Sequence, residues 1–207
     1  MRPNEIEVES FRIILEELGG HSFSPQELPI VQRVIHATAD FEYANLLAFS
    51  PTAIADGIRA LRSGCKVLTD VQMTAVGISQ AHLSQFSASA RCAIQEAETT
   101  SLAHSLGVTR SAAAIRRMSA DLNGAIAAIG NAPTALFELL RLAKEEGLRP
   151  ALVIGVPVGF VNAAESKAAL QESGLPCITV RGRKGGSTVA AAIVNALLKL
   201  ALVQSNA

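Results

Sequence analysis

Ala125-Ile126-Ala127-Ala128-Ile129-Gly130-Asn131-Ala132-Pro133 decides the fold. Its five opening residues are apolar without alternation, the pattern of a short strand covered on both faces. Gly130-Asn131 ends the run, and Ala132-Pro133 opens an amphipathic stretch to Glu146 in which proline suits the first helical turn. A strand buried on both sides and followed at once by a helix is the repeating unit of a parallel sheet.

The same unit recurs on either side. Further strands are expected at Cys65–Thr69, Arg91–Ile94, Ala151–Gly155 and Cys177–Val180. Helices are expected at Ser111–Asp121, Ala132–Glu146, Ala163–Gln171 and Ser187–Val203. This is an α/β protein, a mostly parallel sheet of about five strands flanked by helices and joined by right-handed crossovers. In such sheets ligands bind beyond the carboxyl ends of the strands. The loops expected there are Thr69-Asp70, Gly130 to Pro133, Gly155 to Phe160 and Arg181 to Ser187.

Residues 4–62 read as an N-terminal helical segment instead. Ile6, Phe11, Ile14, Leu15 and Leu18 give one helical stripe, closed by Gly19-Gly20. Ser24-Pro25-Gln26-Glu27 has the form of a helix start, with serine as cap and glutamate three residues on. The helix it opens runs through Val31 and Val34 towards His36, and Ser50-Pro51 starts another through Leu61. No linker or repeat divides the chain, so residues 1–207 are read as a single domain.

Composition narrows the function. Hydrophobic residues make up 49% and charged ones 17%, which excludes a disordered chain. Eighteen basic residues balance eighteen acidic ones, so nucleic acid is not the expected partner and an anion must be held by a local cluster of cations. Cys65, Cys92 and Cys177 are far apart and read as small core residues. Val189 to Val203 is too short to cross a membrane, and a cytoplasmic protein with no membrane partner is expected.

Four segments carry candidate chemistry. His36 lies among Arg33, Thr38, Asp40 and Glu42, and its ordinary pKa near neutrality suits it to give and take a proton. By itself it reads more readily as a structural histidine. Gly182-Arg183-Lys184-Gly185-Gly186-Ser187 is either an anion-binding turn or an ordinary strand-to-helix turn. Arg110 follows Thr109 at a helix start, where a positive side chain either has an anionic partner or is simply solvated. Val156, Val158 and Phe160 are apolar where a loop is usually polar, which suits a pocket wall or simple burial. No metal-ligand spacing and no Gly-x-Ser-x-Gly elbow occurs.

Taken in order, Glu9-Ser10-Phe11-Arg12, Arg33-Val34-Ile35-His36-Ala37-Thr38, Thr69-Asp70-Val71, Thr109-Arg110-Ser111, Ile129 to Ala135, Gly155 to Phe160 and Gly182 to Ser187 resemble the precorrin-8X methylmutase family, including its cobalt-precorrin-8 members, from about residue 5 to residue 200. The resemblance implies a homodimeric α/β isomerase of corrin biosynthesis that needs no cofactor. It moves a methyl group from carbon 11 to carbon 12 of a tetrapyrrole, giving hydrogenobyrinate or cob(II)yrinate. It further implies His36 as proton donor and acceptor and substrate contacts at Ser10 and Arg33, with Arg12, Thr38, Thr69, Arg110 and Lys184 as an extension. Gln72 and Thr74 stand in a region expected to be more apolar, which bears on local packing. A carrier that binds tetrapyrrole without chemistry and, more weakly, a nucleotide-binding enzyme are the other classes.

Overall fold

A computed structural model of the chain describes residues 2–203. Six strands form one sheet: β1 (Leu47–Phe49), β2 (Lys66–Thr69), β3 (Ser89–Arg91), β4 (Ile126–Ile129), β5 (Leu152–Gly155) and β6 (Cys177–Val180). Their order is β1-β6-β5-β4-β2-β3, parallel except for β1, which runs antiparallel along β6 at the edge.

The apolar runs sort their side chains by the two-residue period of a strand. Val67, Ile126, Ala128, Leu152, Ile154, Ile178 and Val180 face one core, while Leu68, Ala127, Ile129, Val153 and Cys177 face the other. The first core is covered by α2 (Glu27–Thr38), α4 (Ala53–Arg62) and α11 (Ser187–Val203), and α1 (Pro3–Leu18) packs outside α2. The second is covered by α8 (Arg110–Arg117), α9 (Pro133–Glu145) and α10 (Ala163–Glu172). Helices α3 (Tyr43–Leu46), α5 (Gln72–Gly77), α6 (Gln80–Gln85) and α7 (Ala97–Leu106) and a 3-10 turn (Ser119–Asp121), which replaces the end of the helix expected at Ser111–Asp121, complete the described elements.

All five expected strands are present, four within a residue of the expected bounds. The strand expected at Arg91–Ile94 lies two to three residues earlier, because its pairing with β2 ends at Arg91 and Ala93 turns into the second core. At the Ser24 start the reciprocal bonds are present, Glu27 N–H donating to Ser24 Oγ at 3.2 Å and Ser24 N–H to Glu27 Oε2 at 2.8 Å, while α2 itself begins at Glu27, after a turn through Pro25 and Gln26. Of the cysteines only Cys177 is fully buried, and Cys65 and Cys92 are half-buried.

The strand order reverses between β2 and β4, the position where an open parallel sheet usually binds its ligand. Here the chain fills that position itself. Asp70, fully buried, accepts the backbone N–H groups of Gly130 (3.0 Å), Asn131 (2.8 Å) and Ala132 (2.7 Å) at the start of α9. Burial pushes its carboxyl up while the three N–H groups pull it down. The effect is to lock the β2–α5 connection to the β4–α9 connection, which leaves any ligand site to be built beside the sheet crevice.

Candidate active site

That neighbouring site lies where α2, α5 and α11 meet. A groove of about 410 Å³ is lined by Arg33, His36, Met73, Val76, Ser187 and Thr188 among others. His36 and Arg33 are one turn apart on α2 and so share a face. Phe11 of α1 brackets both: its ring meets the His36 ring edge-on at 5.3 Å, and the Arg33 guanidinium sits 4.6 Å over it. His36 is exposed, in the last turn of a helix ended by Ala39 in the left-handed conformation at φ 53°.

Arg33 is held from behind. It pairs with Glu7, which also accepts from Lys199 Nζ at 2.6 Å. Lys199 and Arg33 together hold the Glu7 carboxyl down at about 2, against an ordinary 4.5. A carboxylate with a depressed folded pKa adds stability that is complete above its unfolded value and lost as pH falls through its folded one. Wild type is therefore expected to lose stability between about pH 4.5 and 2, and Glu7→Gln to lose less over that window. Urea unfolding at pH 5 and pH 3 measures the difference; equal losses in both proteins would remove this role.

The opposite wall is apolar. Met73 and Val76 of α5 are 69% and 74% exposed, an unusual load of open hydrophobic surface for a six-residue helix. Asn195 of α11 fixes that wall: its Nδ2 donates to the Gly77 carbonyl at 2.9 Å and its Oδ1 accepts Ser79 N–H at 2.8 Å. A Cβ on Gly77 would stand 2.9 Å from the Ala191 side chain, so only glycine lets α5 approach α11 this closely. Thr74, fully buried, has a hydroxyl without a partner among the described residues, the local cost of the polar residue noted there.

The other expected contacts are more scattered. Ser10, half-buried, donates to the Ile6 carbonyl at 2.8 Å, and Arg12 is exposed and paired with Glu9 and Glu16. The Thr38 hydroxyl donates to the Val34 carbonyl at 2.8 Å. Lys184 pairs with Asp40 and with Glu42 (2.6 Å), which brings the Gly182–Ser187 turn to the end of α2. Thr69 is fully buried, its hydroxyl donating to the Val71 carbonyl at 3.2 Å. Arg110, exposed at the start of α8 and capped by Thr109, borders a separate hollow with Thr100 and His104. Thus one groove collects Arg33 and His36, with Lys184 tied in through Asp40.

A larger hollow, about 1120 Å³, lies at the amino ends of β5 and β6, bordered by Pro150, Ala151, Leu175 and Pro176. Three of its four cations are already engaged, Arg59 with Asp56, Arg141 with Glu138 and Glu145, and Arg149 with the Ala143 carbonyl, which leaves Lys144. It holds no histidine.

The sequence profile of the precorrin-8X methylmutase family matches residues 5–200, nearly the whole chain. The chain belongs to this family. Cobalt-precorrin-8 methylmutase of Priestia megaterium is 48% identical over 201 residues, covering 97% of this chain and 89% of its own. Precorrin-8X methylmutase of a Sinorhizobium species is 41% identical, covering 95% of this chain and 94% of its own. The solved structure of precorrin-8x methyl mutase from Thermus thermophilus superposes with a TM-score of 0.90 at 44% identity, covering 97% of each chain. As a member of the precorrin-8X methylmutase family, the chain is an isomerase of cobalamin biosynthesis. Among its described residues, no helix is long and apolar enough to cross a membrane.

Met73, Val76 and Asn195 of the groove, and Phe11 against His36 and Arg33, are residues that the sequence did not mark as part of the site. Phe11 was visible within Glu9-Ser10-Phe11-Arg12 but counted towards the apolar stripe of α1. Asn195 had a signal of its own, an amide in the most hydrophobic segment of the chain.

Proposed function

We propose that the protein moves the methyl group at carbon 11 of precorrin-8, or of its cobalt counterpart, to carbon 12, with His36 as the proton donor and acceptor. The observation that carries this reading is the pairing of His36 with Arg33 on one helical face, bracketed by Phe11 and opposed by Met73 and Val76. Precorrin-8 is a broad conjugated ring fringed with carboxylates. An apolar wall suits the ring, and a guanidinium suits a carboxylate at its edge.

The chemistry asks little else of the chain. The imidazolium lends a proton to the conjugated system, which becomes electron-poor. The bond from carbon 11 to the methyl breaks as the bond to carbon 12 forms on the same face. The proton then returns to His36, so substrate and product have the same composition. Arg33, in this groove, and Ser10 are the proposed carboxylate contacts, with Arg12, Thr38, Thr69, Arg110 and Lys184 as the extension.

The groove is open beside Met73 and Val76 and covers only part of so large a ring. A homodimer, whose second copy covers the remainder, is part of the proposal, as is action in the cytoplasm. Sedimentation velocity checks the first: a monomer at micromolar concentration removes it.

The deciding experiment incubates purified protein with precorrin-8 and follows absorbance. Conversion to the corrin spectrum supports the reading, and binding without conversion points to a carrier. Arg33→Gln, placed in a His36→Ala background so that no turnover intrudes, is expected to weaken substrate binding about tenfold, ~1.4 kcal/mol. An unchanged Kd would take Arg33 out of the site.

A further inference from the structure

We propose that Lys167 is a positioning residue for the substrate, acting through the peptide bond between Lys184 and Gly185; this rests on the reading above, in which the Gly182–Ser187 turn faces the macrocycle.

Lys167 lies on α10, across the second core from the groove, and is 1% exposed. Its Nζ donates to the Lys184 carbonyl at 2.6 Å, and among the described residues it has no carboxylate partner. Burial alone pushes the amine down to about 8. A buried ammonium with no counter-ion is costly, and an apolar side chain of the same length would fill the space more cheaply. The lysine must therefore be judged by what its hydrogen bond holds.

What it holds is a turn fixed carbonyl by carbonyl. Gly159 N–H donates to the Arg183 carbonyl at 3.1 Å, Lys167 to that of Lys184, and the Tyr43 hydroxyl to that of Gly185 at 3.3 Å. Gly186 N–H donates to the Val156 carbonyl at 2.9 Å. Gly185 adopts φ 152°, and a Cβ there would stand 2.1 Å from the Val156 oxygen. The turn is pressed against the β5–α10 loop with no room for a side chain.

A trans peptide points its C=O and N–H in opposite directions. With the Lys184 carbonyl drawn inward to Lys167, the Gly185 N–H is aimed away from α10. Among the described residues it donates to no protein acceptor, nor does the N–H of Lys184. The turn continues directly into Ser187 and Thr188, which line the His36 groove. A substrate carboxylate is the acceptor these two N–H groups fit; Lys167 sets the direction of the Gly185 N–H without touching the substrate, as Gly159, through the Arg183 carbonyl, does for that of Lys184.

The test compares wild type, Lys167→Met and Lys167→Gln as full chains, by steady-state kinetics with precorrin-8 and by thermal melting. Methionine keeps the unbranched stem, one atom shorter, and removes the donor; glutamine keeps a shorter donor. For Lys167→Met the melting temperature should hold or rise, KM should rise about tenfold and kcat should stay within about threefold. Lys167→Gln should fall between, and it decides the matter by the same criteria if the methionine variant does not fold. KM unchanged in the folded variants overturns the proposal. So does a joint fall of kcat, substrate affinity and melting temperature, the mark of a merely structural lysine. Amide exchange at Gly186 reads the turn independently of turnover: it should quicken in Lys167→Met, and an unchanged rate overturns the inference. A wild-type protein that leaves precorrin-8 unconverted fails the functional reading instead, and the exchange rate still tests Lys167.

Discussion

His36→Ala is expected to lower kcat by about a hundred- to ten-thousand-fold, ~3–5 kcal/mol of barrier, the usual worth of a placed general acid. Substrate binding should survive, because Arg33 keeps its Glu7 support and its place over Phe11. The fold should survive too. His36 is exposed in the last turn of α2, alanine favours helix, and the edge contact with Phe11 is worth about 1 kcal/mol. Single-turnover absorbance with precorrin-8 reads the chemical step, and a titration of the same variant reads binding. Near-normal turnover would remove the acid role. A variant that neither turns over nor binds would move His36 from proton transfer to substrate contact.

The framework of this site was legible because it depends on patterns only folding imposes. The β4, β5 and β6 runs are apolar on both faces, and strands placed there pair in the register found. The loops expected to gather do so: Asp70 binds the Gly130 loop, and Gly186 binds Val156. Elements of few residues were missed. Leu47–Phe49 is a three-residue strand stabilised by its partner β6, with too little sequence for an alternating pattern. Helices α5 and α6 are six residues each, and α7 buries only Thr99 and Ala103, so none shows a helical stripe.

The site was half legible for a related reason. His36 and Arg33 are three apart on a helix with a clear start, so their shared face follows from sequence. Met73 and Val76 reach them only because Asn195 and Gly77 bind α5 to α11, contacts more than a hundred residues apart. The pairing of charges was the least legible part. Arg12, an expected ligand contact, has Glu9 and Glu16 one turn away on either side of it. At the switch point between β2 and β4, the loop after β4 binds the chain's own Asp70, a long-range contact that no local pattern announces.

Asp70→Ala is accordingly the substitution expected to cost the most stability. It strips the acceptor from three N–H groups at the start of α9. Asn131 is half-exposed enough to find water, but the bonds to Gly130 and Ala132 are buried. An unsatisfied buried N–H costs about 1–3 kcal/mol, so the loss should be about 3 kcal/mol. For a chain of this size that lowers the melting temperature by roughly 6–12 °C. Asparagine should not rescue it. Its one oxygen can serve either Gly130 or the Asn131–Ala132 pair, and its NH2 then faces a donor. Activity should fall alongside, because Asp70 anchors the connection into α5 and so the Met73–Val76 wall opposite His36. Differential scanning calorimetry of Asp70→Ala and Asp70→Asn measures this; melting within about 2 °C of wild type would mean that water replaces the carboxylate and that the sheet crevice is open to a ligand after all.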